Sequence, residues 1–254
     1  MTEPVRRPHN PEDIPQPTVL RWPQFQEMFA KSFRFGEQVA VVGPNGSGKT
    51  LTALELCKII GSRTAADRRP ARVVILATKR EDETISGLGW PIIRKWPPAY
   101  GEEHCIVWPA RGAKVSGRKR AQRAVLLPLL DVIEAEGGQT VMIDEEADFE
   151  RPLPTGLGME TTMQHYWQDT RSVKVSLIAT TQRPRWVTLS MWSEPAWLII
   201  FRLETLDDIR HVAGHSGNRN LIPVIERLGG HEFLCVRRQR AGERDLYVSK
   251  VERG

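Results

Sequence analysis

The chain has 254 residues, 40% hydrophobic and 26% charged, enough to bury one sizeable α/β core without disulfide or metal staples. Its three cysteines, Cys57, Cys105 and Cys235, are far apart and sit in apolar runs, which argues against a disulfide framework or a cysteine-ligated zinc site and fits a reducing, cytoplasmic compartment. No apolar run approaches the roughly 20 residues that cross a bilayer, the proline-rich start is no signal peptide, and a net charge of +5 allows a polyanionic partner without specifying one.

Prolines at 4, 8, 11, 15, 17 and 23 disfavour regular helix and central strand, so residues 1–24 read as an extended arm and 25–254 as a single domain. From residue 38 onward short apolar runs recur at 38–42, 72–78, 105–108, 140–143, 175–181 and 197–203, separated by helix-sized segments. Such runs predict parallel strands buried on both faces. After Gly48, Leu51, Leu54, Cys57 and Ile60 fall at helical spacing, completing a βαβ unit. Residues 232–237 and 246–251 flank a polar turn and predict a hairpin at a sheet edge. His104, His165, His211 and His215 lack partners at metal-ligand spacing, and Gly214 argues against a continuous helix through the last two.

Gly43-Pro44-Asn45-Gly46-Ser47-Gly48-Lys49-Thr50 fits G-x-x-x-x-G-K-[ST] at every fixed position, between a predicted strand and a predicted helix that opens through Leu51. Glycines let backbone N–H groups turn inward around a phosphate, and the helix N-terminus adds its partial positive charge. In such a loop Lys49 reaches the β- and γ-phosphates of ATP and the Thr50 hydroxyl ligates Mg2+. Farther on, Val141-Met142-Ile143-Asp144-Glu145 delivers two acids at the end of an apolar strand, where open α/β sheets bind ligands. Asp144 is the expected magnesium partner and Glu145 the group that orients the attacking water. Glu146 and Asp148 read as solvated or structural. A later strand ends in Thr180-Thr181-Gln182-Arg183-Pro184, which places Gln182 at the same edge for contact with the γ-phosphate or the water.

Arg111, Lys114, Arg118, Lys119, Arg120 and Arg123 form a basic segment without an intervening acid, readable as a DNA-phosphate contact or as a solvated loop entering a helix that continues past Pro128. Arg183, Arg185 and Trp186 form a smaller candidate of the same kind. A chain with one P-loop has no second core to complete its site, so an arginine from a neighbouring subunit of a closed ring is expected to do so. Arg202, which ends an apolar strand, is the first choice, and Arg171 the second.

Taken together, VVGPNGSGKT, VMIDEEAD and IATTQRP, in that order, resemble the FtsK/HerA superfamily of DNA-pumping ATPases over residues 38–237. The resemblance implies a RecA-like α/β core with a mainly parallel sheet flanked by helices. It also implies a Walker A loop at 43–50, a Walker B pair at Asp144 and Glu145, a strand-end glutamine at Gln182 and an apolar strand ending in Arg202. The work implied is ATP-driven, Mg2+-dependent movement of double-stranded DNA by a homo-oligomeric hexameric or pentameric ring. The chain has no membrane-spanning segment and no room for a C-terminal DNA-reading domain, so it looks most like a viral genome-packaging ATPase that meets a capsid portal or vertex protein. A conjugation-type transfer motor, a RecA-like helicase and an ATP-dependent assembly scaffold with little hydrolysis remain open. An ABC-type ATPase fits less well because Gly137-Gly138-Gln139 abuts the acidic strand instead of opening a helix ahead of it. A GTPase fits less well because Thr78-Lys79-Arg80-Glu81 carries Glu where guanine recognition needs Asp.

Overall fold

A computed structural model describes residues 14–63, 71–95, 103–109, 115–239 and 243–252. Arg111 and Lys114 of the basic segment lie outside the described residues, as does the first half of the arm. The chain runs β1 (Thr18–Val19), α1 (Trp22–Ser32), β2 (Val39–Val42), α2 (Lys49–Gly61), β3 (Val73–Leu76), α3 (Glu83–Ser86), β4 (Ile92–Ile93), β5 (His104–Val107), α4 (Val115–Glu136) and β6 (Thr140–Ile143). It continues through α5 (Glu146–Glu150), α6 (Glu160–Gln168), β7 (Ser176–Thr181), α7 (Ser190–Ser193), β8 (Trp197–Phe201), α8 (Leu206–His215), α9 (Ile222–Arg227), β9 (Glu232–Arg238) and β10 (Arg244–Lys250).

The strands form one sheet in the order β1-β10-β9-β8-β2-β7-β6-β3-β5-β4. Pairing is parallel throughout except where β9 runs against β8 and β10. Because the pleat has period two, alternate residues of each central strand enter different cores. Ala40, Val42, Val74, Leu76, Val141, Ile143, Leu177 and Ala179 face the layer built on Leu126, Leu129, Leu130 and Ile133 of α4 together with α6. Val39, Val41, Val73, Ile75, Met142 and Ile178 face the layer of Phe25 and Phe29 from α1 and Leu54, Leu56, Cys57 and Ile60 from α2. Three layers result, α/β/α, and the predicted α/β class with a mainly parallel sheet and a C-terminal hairpin is what the chain adopts.

Two expectations change. Residues 14–24 do not stand off as an arm: β1 pairs in parallel with β10, so the hairpin is not the sheet's edge, and Trp22 opens α1 with its ring buried. Pro23 is tolerated because the first turn of a helix has no intrahelical use for its N–H. His211 and His215 share the continuous helix α8, with ring centroids 4.6 Å apart, since Gly214 falls in the last turn where its cost is small. Among the described residues no helix is long and apolar enough to cross a membrane.

Candidate nucleotide site

β2, β6 and β7 are neighbours, and their C-terminal ends bring the three sequence motifs to one edge. The turn after β2 is anchored where the Gly43 N–H donates to the Thr181 carbonyl at 3.2 Å. Gly46 and Gly48 hold φ of +76° and +102°, a region L side chains rarely adopt, and a β-carbon on Gly48 would also lie 2.7 Å from Val251. Lys49 opens α2 nearly buried, with Nζ 3.4 Å from the Pro44 carbonyl of its own loop. Burial, and then the nearby ammonium of Lys79, hold the Lys49 pKa below the usual lysine value, partly offset by Glu145 and Asp144.

Asp144, at the end of β6, is fully buried. Its Oδ1 accepts from Thr50 Oγ1 at 3.1 Å and from Thr180 Oγ1 at 3.3 Å. Its Oδ2 lies 2.6 Å from Lys79 Nζ, an ion pair rather than a well-angled hydrogen bond. The Thr50 hydroxyl and the Asp144 carboxylate are hard oxygen donors that suit Mg2+, which prefers one or two carboxylates plus substrate phosphates. Ser47 Oγ in the loop is buried without a protein partner, a polar group left for a phosphate oxygen. The residues therefore fit a magnesium nucleotide, with Lys49, Thr50 and Asp144 as its holders.

Glu145 follows with φ 71° and ψ 80°, a sparsely populated backbone conformation for a residue with a side chain. Its carboxylate accepts from Thr181 Oγ1 at 2.9 Å and from the Gln182 N–H at 3.2 Å. Burial raises its pKa, opposed by those two hydrogen bonds. Gln182 thus engages the acid through its backbone, and its side chain is half-buried at the same strand end. Glu146 is not solvated: it is fully buried and accepts from the Trp167 indole, one turn of α5 from Glu150. Burial and the neighbouring Glu150 push Glu146 well above the carboxylate range, so it keeps its proton for Glu150, itself raised by burial to about 7. Glu150 in turn accepts from the Thr188 N–H at 2.6 Å and from Thr188 Oγ1 at 3.1 Å.

The remaining expected residues scatter. Arg202 is exposed and lines a cavity of about 510 Å³ beside its own P-loop, together with Asn45, Phe201, Glu204 and His231. Arg171 is exposed in a 3₁₀ turn before β7, at the end of that strand away from the nucleotide site. In α4, Lys119 pairs with Asp148 at 3.0 Å and Arg123 donates to the carbonyls of Leu157 and Gly158, so both turn inward, whereas Arg120 is exposed and Arg118 half-buried. Sequence reasoning missed Lys79 at Asp144 and His231, whose Nδ1 lies 3.1 Å from the Ser47 carbonyl. It also missed Thr180 and Thr181 as holders of the acids, although both stand directly before Gln182 in the segment that carried the resemblance.

No protein-family model and no curated protein matches the chain. Solved structures do. The genome packaging NTPase B204 from Sulfolobus turreted icosahedral virus 2 superposes with a TM-score of 0.59 at 12% identity, over 87% of this chain and 100% of that one. The DNA-packaging ATPase B204 from Sulfolobus turreted icosahedral virus gives 0.59 at 14%, over 84% and 98%. VirB4 of Thermoanaerobacter pseudethanolicus gives 0.62 at 12%, over 85% and 89%. The chain thus shares its fold with these packaging ATPases and with VirB4. One of these neighbours, B204 from the second virus, has also been solved with AMP and with AMPPCP, so that protein takes nucleotides on this scaffold.

Proposed function

We propose that the chain is a Mg2+-dependent ATPase that moves double-stranded DNA, and that the DNA is a viral genome entering a capsid. The observation that carries the hydrolytic half is Glu145, a second acid fixed by Thr181 and the Gln182 N–H beside the Thr50–Asp144 pair. Phosphoryl transfer to water needs a group that orients the nucleophile in line, and a nucleotide-gated scaffold has no such need. Mg2+ supplies charge neutralisation at the phosphates when bound, while Lys49 holds them and Glu145 orients the water. The likeness to packaging ATPases over almost the whole of both chains supports the second half.

The DNA-contact surface in this reading lies at the same edge of the sheet. Arg118 and Arg120 start α4, and Arg183, Arg185 and the exposed Trp186 follow β7. Asp148 binds both Lys119 and Arg151, and Arg151 stacks on Trp186, so the two basic segments meet. Arg183 has no acidic partner among the described residues and lies over the Trp186 ring at 4.5 Å.

Two measurements test this. Lys49→Ala is expected to abolish ATP binding, whereas Glu145→Gln keeps binding and lowers phosphate release by roughly 10² or more. Wild-type turnover in Glu145→Gln would remove the water-orienting role. Alanine at Arg118, Arg120 and Arg183 together is expected to weaken DNA binding and to flatten its salt dependence by about one unit per lost phosphate contact. Unchanged affinity and slope would return these arginines to the solvated surface.

A further inference from the structure

Lys79, set aside above with the guanine-recognition reading of residues 78–81, reaches the fully buried carboxylate at the centre of the site. Its loop, directly after β3, is tied down on both sides of the residue. The Thr78 carbonyl accepts from Gln122 Nε2 at 2.9 Å, and the Lys79 carbonyl accepts from the Trp108 indole at 2.8 Å. The ammonium sits between two acids, 2.6 Å from Asp144 Oδ2 and 3.3 Å from Asp82 Oδ2. Asp82 is itself fixed, because its Oδ1 caps α3 through the N–H groups of Thr84 and Ile85. Asp144 therefore shows one oxygen to Thr50 and Thr180 and the other to Lys79.

A carboxylate this buried needs a counter-charge, and Lys79 provides one at 2.6 Å. A divalent cation held by Asp144 and Thr50 would supply a stronger one, and the ammonium would then be repelled from that carboxylate. The side chain is about one-third exposed and its four-carbon stem is flexible, so the head group can leave Asp144 without moving the anchored backbone. Lys79 and Lys49 are close enough for their ammonium groups to act on each other, so a phosphate held by Lys49 would lie near the released head group.

We propose that Lys79 is a second phosphate-binding lysine, whose head group would pass from Asp144 to the terminal phosphate of a nucleoside triphosphate bound with Mg2+ at Thr50 and Asp144. The inference rests on the ATPase reading and adds a site-derived means of telling the triphosphate from the diphosphate. A lysine that only neutralises Asp144 has no reason to distinguish the two.

The test uses the full chain with ADP and with the slowly hydrolysed ATPγS, each with Mg2+. Lys79→Gln is expected to weaken ATPγS by about tenfold or more, the worth of one charge-assisted phosphate contact, and to leave ADP nearly unchanged; Lys79→Arg restores most of the ATPγS affinity. Equal losses for both nucleotides, or none, would overturn the proposal. Lysine acetylation followed by mass spectrometry on the wild-type chain gives an independent reading that does not depend on how the variants fold. Lys79 is expected to react slowly alone, faster with Mg2+ and ADP, and slowly again with Mg2+ and ATPγS. The same reactivity in both nucleotide states would overturn it. A wild type that binds neither nucleotide fails the ATPase reading itself, whereas normal binding with an indifferent Lys79 fails only this inference.

Discussion

Single residues near the site carry more constraint than their neighbours in sequence suggest. Gly48→Ala would both force a side chain into φ +102° and drive its β-carbon to 2.7 Å from Val251. Strain of that kind costs about 1–3 kcal/mol, so the variant is expected to melt at lower temperature and to bind nucleotide poorly, as differential scanning and titration would show. Glu150 gives the molecule a pH dependence. It faces Glu146, Glu160 and Thr188, and its folded pKa of about 7 exceeds the unfolded value of 4.5. A raised folded pKa means the native state holds the proton more tightly: the stabilisation is complete below pH 4.5 and is lost as pH rises through 7. The loss is at most about 3 kcal/mol. Glu150→Gln is expected to remove this part of the decline in urea-unfolding free energy, and an unaltered decline would refute it. Lys49, Thr50 and Asp144 were legible because a contiguous motif encodes them. Lys79 was not, because its meaning depends on a contact between neighbouring strand ends, and the Glu146–Glu150 pair was not, because the Trp167 and Thr188 groups that bond it come from distant parts of the chain.

Among the elements, the central strands were readable because burial on both faces removes polar residues from the run, and β6 occupies the predicted 140–143. Short helices such as α3 and α7 give too little periodicity to find. α1 was hidden for a different reason: its entry is crowded with proline, and only Trp22, Phe25 and Phe29 reveal an apolar face. That face is substantial, since Phe25 meets Phe233 of β9 edge-on at 4.9 Å and Phe29 meets Trp197 at 5.0 Å. Phe25→Ala is therefore expected to cost about 3–5 kcal/mol, read from the shift in a denaturation midpoint, and a cost below about 1 kcal/mol would mean that α1 is dispensable to the core.

For the whole molecule, the ring that belongs to the proposed function would let an arginine of one subunit balance the transition-state charge in the next. Both arginines are exposed; Arg202 borders the nucleotide cavity of its own chain, whereas Arg171 lies at the other end of the strands and, if it meets a nucleotide, meets a neighbour's. Mixing Lys49→Ala subunits with Arg171→Ala subunits is accordingly expected to restore ATP hydrolysis in part, whereas mixing them with Arg202→Ala subunits is not. The opposite pattern in confirmed mixed rings would exchange the two roles.

The indole of Trp186 has an optical consequence. It is 48% exposed and stacked with the guanidinium groups of Arg183 and Arg151, while Trp167, Trp192 and Trp197 are sealed in the interior. Trp186 is the exposed tryptophan among the described residues, and it sits where the proposed cargo would pass. A soluble quencher such as acrylamide should extinguish its long-wavelength emission while sparing the buried indoles. A polyanion seated on the same surface should shield it, so the unlabelled protein carries its own fluorescent gauge of engagement.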